Sequence, residues 1–127
     1  MLKTFVKKNS ELVAMLHQLD PVLSQRNRLG YVAARNFRIL SDALTEYNQF
    51  KMELIEKYGK PDRAEGGAEL PTVSIMVGSP EFKSFCDEMA PYNNIEQKVE
   101  LMTAKYEDTI GVLSGGEIVG IDWMLED

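Results

Sequence analysis

Asn27 to Pro61, NRLGYVAARNFRILSDALTEYNQFKMELIEKYGKP, is the stretch on which the fold turns. Leu29, Ala33, Phe37, Leu40, Leu44, Tyr47, Leu54 and Tyr58 recur at near-heptad spacing and fall on one side of a helix. Gly59 supplies a C-terminal stop, and Lys60-Pro61 cannot continue the helix. At 1.5 Å per residue, a helix over 27–58 would be roughly 45 Å long. A chain of 127 residues does not easily cover so long an apolar stripe. The spacing therefore predicts packing against other helices or a second copy, most simply a homo-oligomer built on a two-fold axis.

Outward from this helix the pattern alternates between helix and strand. Met1 to Lys8 reads as a short strand, and Ser10 as the N-cap of a helix over about 11–19 that Asp20-Pro21 ends. Asp62 to Glu69, with Gly66-Gly67, reads as an exposed loop, and Pro71 to Val77 as a strand with Val73, Ile75 and Val77 on one face. Ser79-Pro80 opens a helix reaching about Met89, and Pro91 to Asn94 is a turn. Between Ile95 and Ala104, Gln97, Val99, Leu101 and Thr103 alternate with Lys98, Glu100 and Met102 as in a half-buried strand. Ser114-Gly-Gly-Glu117 is a capping box for a last helix carrying Ile118, Ile121, Trp123, Met124 and Leu125, with Trp123 expected in the core. The expected architecture is α+β: a long helical hairpin beside a small sheet of two to three strands, with a C-terminal helix. All of it falls in a single domain over residues 1–127.

Composition narrows the chemistry. No apolar run approaches the roughly 18 residues of a membrane span, and one cysteine excludes an internal disulfide. The cytosol is the expected compartment, without membrane contact. One histidine (His17) and one cysteine (Cys86) cannot build a His/Cys zinc site, so no metal is expected. Walker, dinucleotide and nucleophile-elbow motifs are missing, and no cofactor is expected. His17 with Cys86 could form a nucleophile pair, but a packed thiol and an edge imidazole is the better reading. No catalytic residue is assigned, and the chain is not expected to be an enzyme.

Charge is unevenly spread. Residues 1–38 hold seven Lys or Arg against Glu11 and Asp20, whereas the remainder holds seven against eighteen acidic residues. Nucleic acid is thus an improbable partner for the whole surface, but a local anion site in the N-terminal third is compatible with this distribution. Arg28, Tyr31, Arg35 and Arg38 lie within an arc of about 80° at 100° per residue, opposite Leu40 and Leu44. Guanidiniums bind phosphate through two donors and also stack, so these four residues form the candidate ligand-binding set. The competing reading is a solvated face that pairs with acidic groups of a neighbour. Asn36, beside the apolar stripe, needs partners if buried and suits a structural bond, for example to a strand end. Gly78-Ser79-Pro80 could cradle an anion, but ordinary capping accounts for it.

The pieces Asn9-Ser-Glu-Leu-Val13, Gly30-Tyr-Val-Ala-Ala-Arg-Asn36, Glu53-Leu-Ile-Glu-Lys-Tyr-Gly59, Leu113-Ser-Gly-Gly-Glu-Ile118 and Trp123-Met-Leu-Glu126, in that order, carry a resemblance. The chain resembles small proteins of unknown function encoded by phages and prophages of Gram-positive hosts. Tyr31, Arg35 and Asn36 match that family's tyrosine–basic–asparagine stretch. The resemblance implies a phage origin and a helix–strand alternation, with no catalytic residues. Two roles stand open. One is an anti-defence protein that captures a nucleotide-like immune signal or a host protein. The other is a structural factor in phage assembly, such as tail morphogenesis, acting through protein–protein contacts.

Overall fold

The computed structural model describes residues 2–127, and the side chains of all of these except Arg63, Glu69 and Pro71. The fold is α+β. The chain divides into two compact units, one made of residues 1–44 and 96–127, the other of residues 45–95.

In the first unit, β1 (Leu2–Lys8) leads directly into α1 (Asn9–Gln18), and α2 (Arg28–Ala43) follows. The helix begins two residues earlier than expected, with Lys8 in place of Ser10 as its cap, and the Lys8 N–H donates to the Glu11 carboxylate at 3.0 Å. The Asn27 side chain accepts from the Gly30 N–H at 3.2 Å and begins α2. Gly30 is there by necessity, since a Cβ would run into the Gln25 carbonyl. β4 (Glu96–Met102) pairs antiparallel with β1, placing Phe5 opposite Val99 and Lys3 opposite Leu101. The expected alternation holds in β4, where Val99 and Leu101 are buried and Lys98 and Glu100 exposed. Leu12, Leu19, Val22, Leu29, Leu40, Leu44, Leu101, Ile121 and Met124 are fully buried and make the core.

Asn36, also fully buried, clamps the end of β4. Its amide donates to the Met102 carbonyl at 2.9 Å, and its side-chain oxygen accepts from the Met102 N–H at 2.7 Å. An amide edge mimics a neighbouring strand here, satisfying both polar groups of one residue. This is the strand-end bond expected of a buried asparagine.

The second unit contains α3 (Thr45–Tyr58), the antiparallel pair β2 (Lys60–Arg63) and β3 (Glu69–Ser74), and α4 (Pro80–Asn93). Its buried apolar side chains are Leu54 and Met89. Phe50 stacks on Tyr92 with centroids 3.7 Å apart, and the Tyr47 hydroxyl donates to Asn93 at 2.6 Å. These contacts anchor the last turn of α4, so the helix runs through Pro91 to Asn93 instead of ending near Met89. Ser79 caps it, accepting from the Phe82 N–H at 3.1 Å.

Further expectations change. The single helix over 27–58 is two helices of 16 and 14 residues, roughly 24 and 21 Å long, parted at Leu44. There the backbone leaves helical geometry (φ −95°, ψ 5°), and its N–H is shared between the Leu40 and Ser41 carbonyls. The uninterrupted helix over 27–58 that motivated a dimer is therefore absent, and Phe37 is exposed rather than on a buried stripe. The strand expected over 71–77 runs from Glu69 to Ser74, leaving Met76 and Val77 in an exposed loop, and the start of the expected loop, Asp62-Arg63, belongs to its strand partner Lys60–Arg63. The terminal helix α5 (Gly115–Gly120) keeps the predicted capping box, with the Ser114 hydroxyl accepting from Glu117 at 3.2 Å. It then gives way to a 3-10 turn (Asp122–Met124) and a short strand, β6 (Leu125–Glu126). Trp123 is accordingly half-buried, with its indole N–H on Gln18 at 2.8 Å and its ring edge-on to Phe5, while Met124 and Leu125 take the core positions.

Candidate functional site

The four candidate residues all come from α2. Burying Leu29, Val32, Ala33, Asn36 and Leu40 turns the opposite side of the helix outward, and Arg28, Tyr31, Arg35 and Arg38 are all exposed. Among the described residues none of the four side chains has a hydrogen bond or ion pair, so their polar heads are directed to solvent.

The N-terminal end of that face opens on a cleft of about 410 Å³ in the first unit. Arg28 and Tyr31 line it, whereas Arg35 and Arg38 lie farther along the helix, outside the lining. Across from α2 the cleft is bounded by Met102 to Lys105, Asp108 and Glu126. β5 (Ala104–Lys105) pairs in parallel with β6, which sets Lys105 opposite Glu126. A 3-10 turn (Tyr106–Thr109) follows, its first turn closed by the Asp108 carboxylate on the Lys105 N–H at 3.4 Å. The Tyr106 hydroxyl donates to Asp122, which pushes the phenol's pKa up and ties this turn to the segment carrying Glu126.

The cleft thus holds two cations, Arg28 and Lys105, two carboxylates, Asp108 and Glu126, and one exposed aromatic face, Tyr31. Asp108 is engaged by backbone, while the Glu126 carboxylate has no hydrogen bond or ion pair among the described residues. The Asn36 clamp holds both sides together, since it joins α2 to Met102.

Of the four residues singled out in the sequence, the cleft brings together Arg28 and Tyr31, and it adds Lys105, Asp108 and Glu126, which the sequence did not single out. The missing signal is weak: Lys105-Tyr-Glu-Asp108 has capping spacing, but the pairing of a two-residue terminal strand leaves no periodicity. His17 and Cys86 are both exposed, so the thiol is not the packed one expected. Among the described residues no three His, Cys, Asp or Glu side chains converge as metal ligands, and no helix is long and apolar enough to cross a membrane. No protein-family model matches this chain, and neither a curated protein nor a solved structure matches it significantly.

Proposed function

We propose that this is a phage-encoded, non-enzymatic binding protein of the host cytosol that captures a nucleotide-like anionic signal and so blunts host defence. The observation that carries the reading is the cleft at the start of α2. There Arg28, whose guanidinium has no ion pair among the described residues, Tyr31, whose ring is exposed, and Lys105 line a volume of about 410 Å³. Such a volume lies within the range of small-molecule sites, roughly 300–1,000 Å³. Phosphate oxygens take the guanidinium's paired donors, and a base stacks on the ring. Arg35 and Arg38 extend the positive strip and draw anions toward the cleft.

A calorimetric screen of cyclic dinucleotides, cyclic oligonucleotides and ADP-ribose derivatives tests the reading. At least one should bind, be recovered unchanged, and bind about tenfold or more weakly to Arg28→Ala, since a charge-assisted hydrogen bond contributes about 1.5–3 kcal/mol. Absence of heat with every member would sink it.

A second reading, protein–protein contact in phage assembly or self-association, is favoured by a different observation. Met76 and Val77 are 79% and 78% exposed in the loop before α4, and Leu2 and Val6 lie open on the outer face of β1. Adjacent exposed apolar side chains such as Met76 and Val77 are where a protein contact would gain most from burial. Light scattering that returns a 14.4 kDa monomer at tens of micromolar would remove self-association.

A further inference from the structure

We infer that the base recognised in the cleft is guanine, with Glu126 reading its Watson–Crick edge; this rests on the nucleotide-binding reading above. The cleft is not uniformly basic. A plain polyanion drawn in by Arg28 and Lys105 would meet Glu126, a carboxylate with no hydrogen bond or ion pair among the described residues. A ligand that satisfies every group needs an anionic part for the cations and, away from it, paired N–H donors for the carboxylate. An ionised carboxylate is acceptor-only, and its two oxygens can take two parallel donors.

The bases differ sharply on this point. Guanine sets N1–H beside its N2 amine, two adjacent donors matched to one carboxylate. Adenine sets an acceptor, N1, beside its single amine. Hypoxanthine keeps N1–H and lacks the amine. Cytosine sets its amine beside two acceptors, N3 and O2, and uracil offers one N–H flanked by two carbonyls. Only guanine presents the carboxylate with donors alone at both positions, whereas the others leave an oxygen unpaired or facing a lone pair.

The remaining parts of the cleft fit the rest of such a ligand. Tyr31 is 58% exposed and offers a ring face for stacking, and Arg28 is placed for a phosphate. The parallel β5–β6 pairing holds Glu126 beside Lys105, and Asp108 spends one oxygen on the Lys105 N–H at 3.4 Å, which leaves Glu126 as the cleft carboxylate with both oxygens unbonded among the described residues. Glu126 is the one that can take two parallel donors at once, and we assign it the selection of the base.

The test is calorimetry with 5′-GMP, 5′-IMP and 5′-AMP on the wild-type chain and on Glu126→Gln and Arg28→Ala. Wild type should bind GMP about tenfold or more tightly than IMP or AMP, the effect of one charge-assisted hydrogen bond. Glu126→Gln should bring GMP down to the level of IMP, and Arg28→Ala should weaken all nucleotides alike. Binding of the three without preference for GMP, or a preference that survives Glu126→Gln, overturns the guanine inference and leaves nucleotide binding standing. Failure of all three, together with a silent screen of cyclic nucleotides, overturns both. The comparison of GMP with IMP on wild type needs no variant to fold.

Discussion

Replacing Asn36 tests at once how the first unit is held together and how its cleft is shaped. Its amide makes two bonds to one backbone residue, 2.9 Å to the Met102 carbonyl and 2.7 Å from the Met102 N–H, from a fully buried position. Asn36→Ala strands both Met102 groups and leaves a small void. Each unsatisfied buried group costs about 1–3 kcal/mol, so the pair should cost about 2–5 kcal/mol. That is a large part of the roughly 5–15 kcal/mol that holds a domain folded. For a chain of this size it corresponds to a fall in Tm of roughly 10–20 °C. Thermal and urea melts measure the loss, and hydrogen exchange should place it in β4 and α2.

Asn36→Asp refines the test. A carboxylate still accepts from the Met102 N–H, but it faces the Met102 carbonyl with a lone pair where a donor is needed. Burial raises its pKa in the folded state above the unfolded value of about 3.9. The folded form then holds the proton more tightly, so the variant's stability is fullest at low pH and is lost as pH rises through the raised pKa. A protonated carboxyl can donate to the carbonyl and restore the clamp. An Asn36→Ala variant melting within 2 °C of wild type, or an Asn36→Asp variant whose stability relative to wild type is flat from pH 3 to 8, would refute the reasoning.

Trp123→Ala should cost about 1–3 kcal/mol, less than the roughly 3–5 of a core tryptophan, because the ring is half-buried and loses one edge contact to Phe5 and one bond to Gln18; urea midpoints decide between the two ranges. Burial raises the Tyr47 pKa, so the folded chain keeps its phenolic proton where the unfolded chain has begun to lose it, and stability should fall as pH rises above 10. Tyr47→Phe should remove that part of the alkaline loss, seen by comparing urea melts at pH 9 and pH 11.

The elements legible in the sequence are those whose signals are local. Ser114 and Glu117 form their capping box, Ser79 caps α4, and Val99 and Leu101 alternate inward, because each pattern depends on residues within a few positions. The break at Leu44 is invisible for the opposite reason. Side-chain spacing stays nearly helical across it, and what changes is the ψ of one residue, which periodicity does not register. The same continuity hides the point where the chain passes from the first unit to the second. Half of the cleft was equally hidden. Arg28 and Tyr31 share a helix face and could be found by angle alone, but Glu126 meets them through a pairing between residues more than twenty positions apart, and such contacts leave no local trace.

The placement of the arginines also divides their roles. Arg28 and Arg38 are ten residues apart, about 15 Å along α2. At physiological salt the Debye length is about 8 Å, so a ligand seated beside Arg28 is largely screened from Arg38, with Arg35 between these extremes. Affinity then belongs to the cleft, while the outer guanidiniums act on the encounter. Arg38→Ala should leave Kd at 0.15 M salt within about twofold of wild type, yet slow association at low salt, where the screening length reaches about 30 Å at 0.01 M. Arg28→Ala should change both. Stopped-flow binding across a salt series separates the two effects. If Arg38→Ala weakened binding at 0.15 M as much as Arg28→Ala does, the ligand would have to lie along the whole helix face, and the cleft would not be its seat.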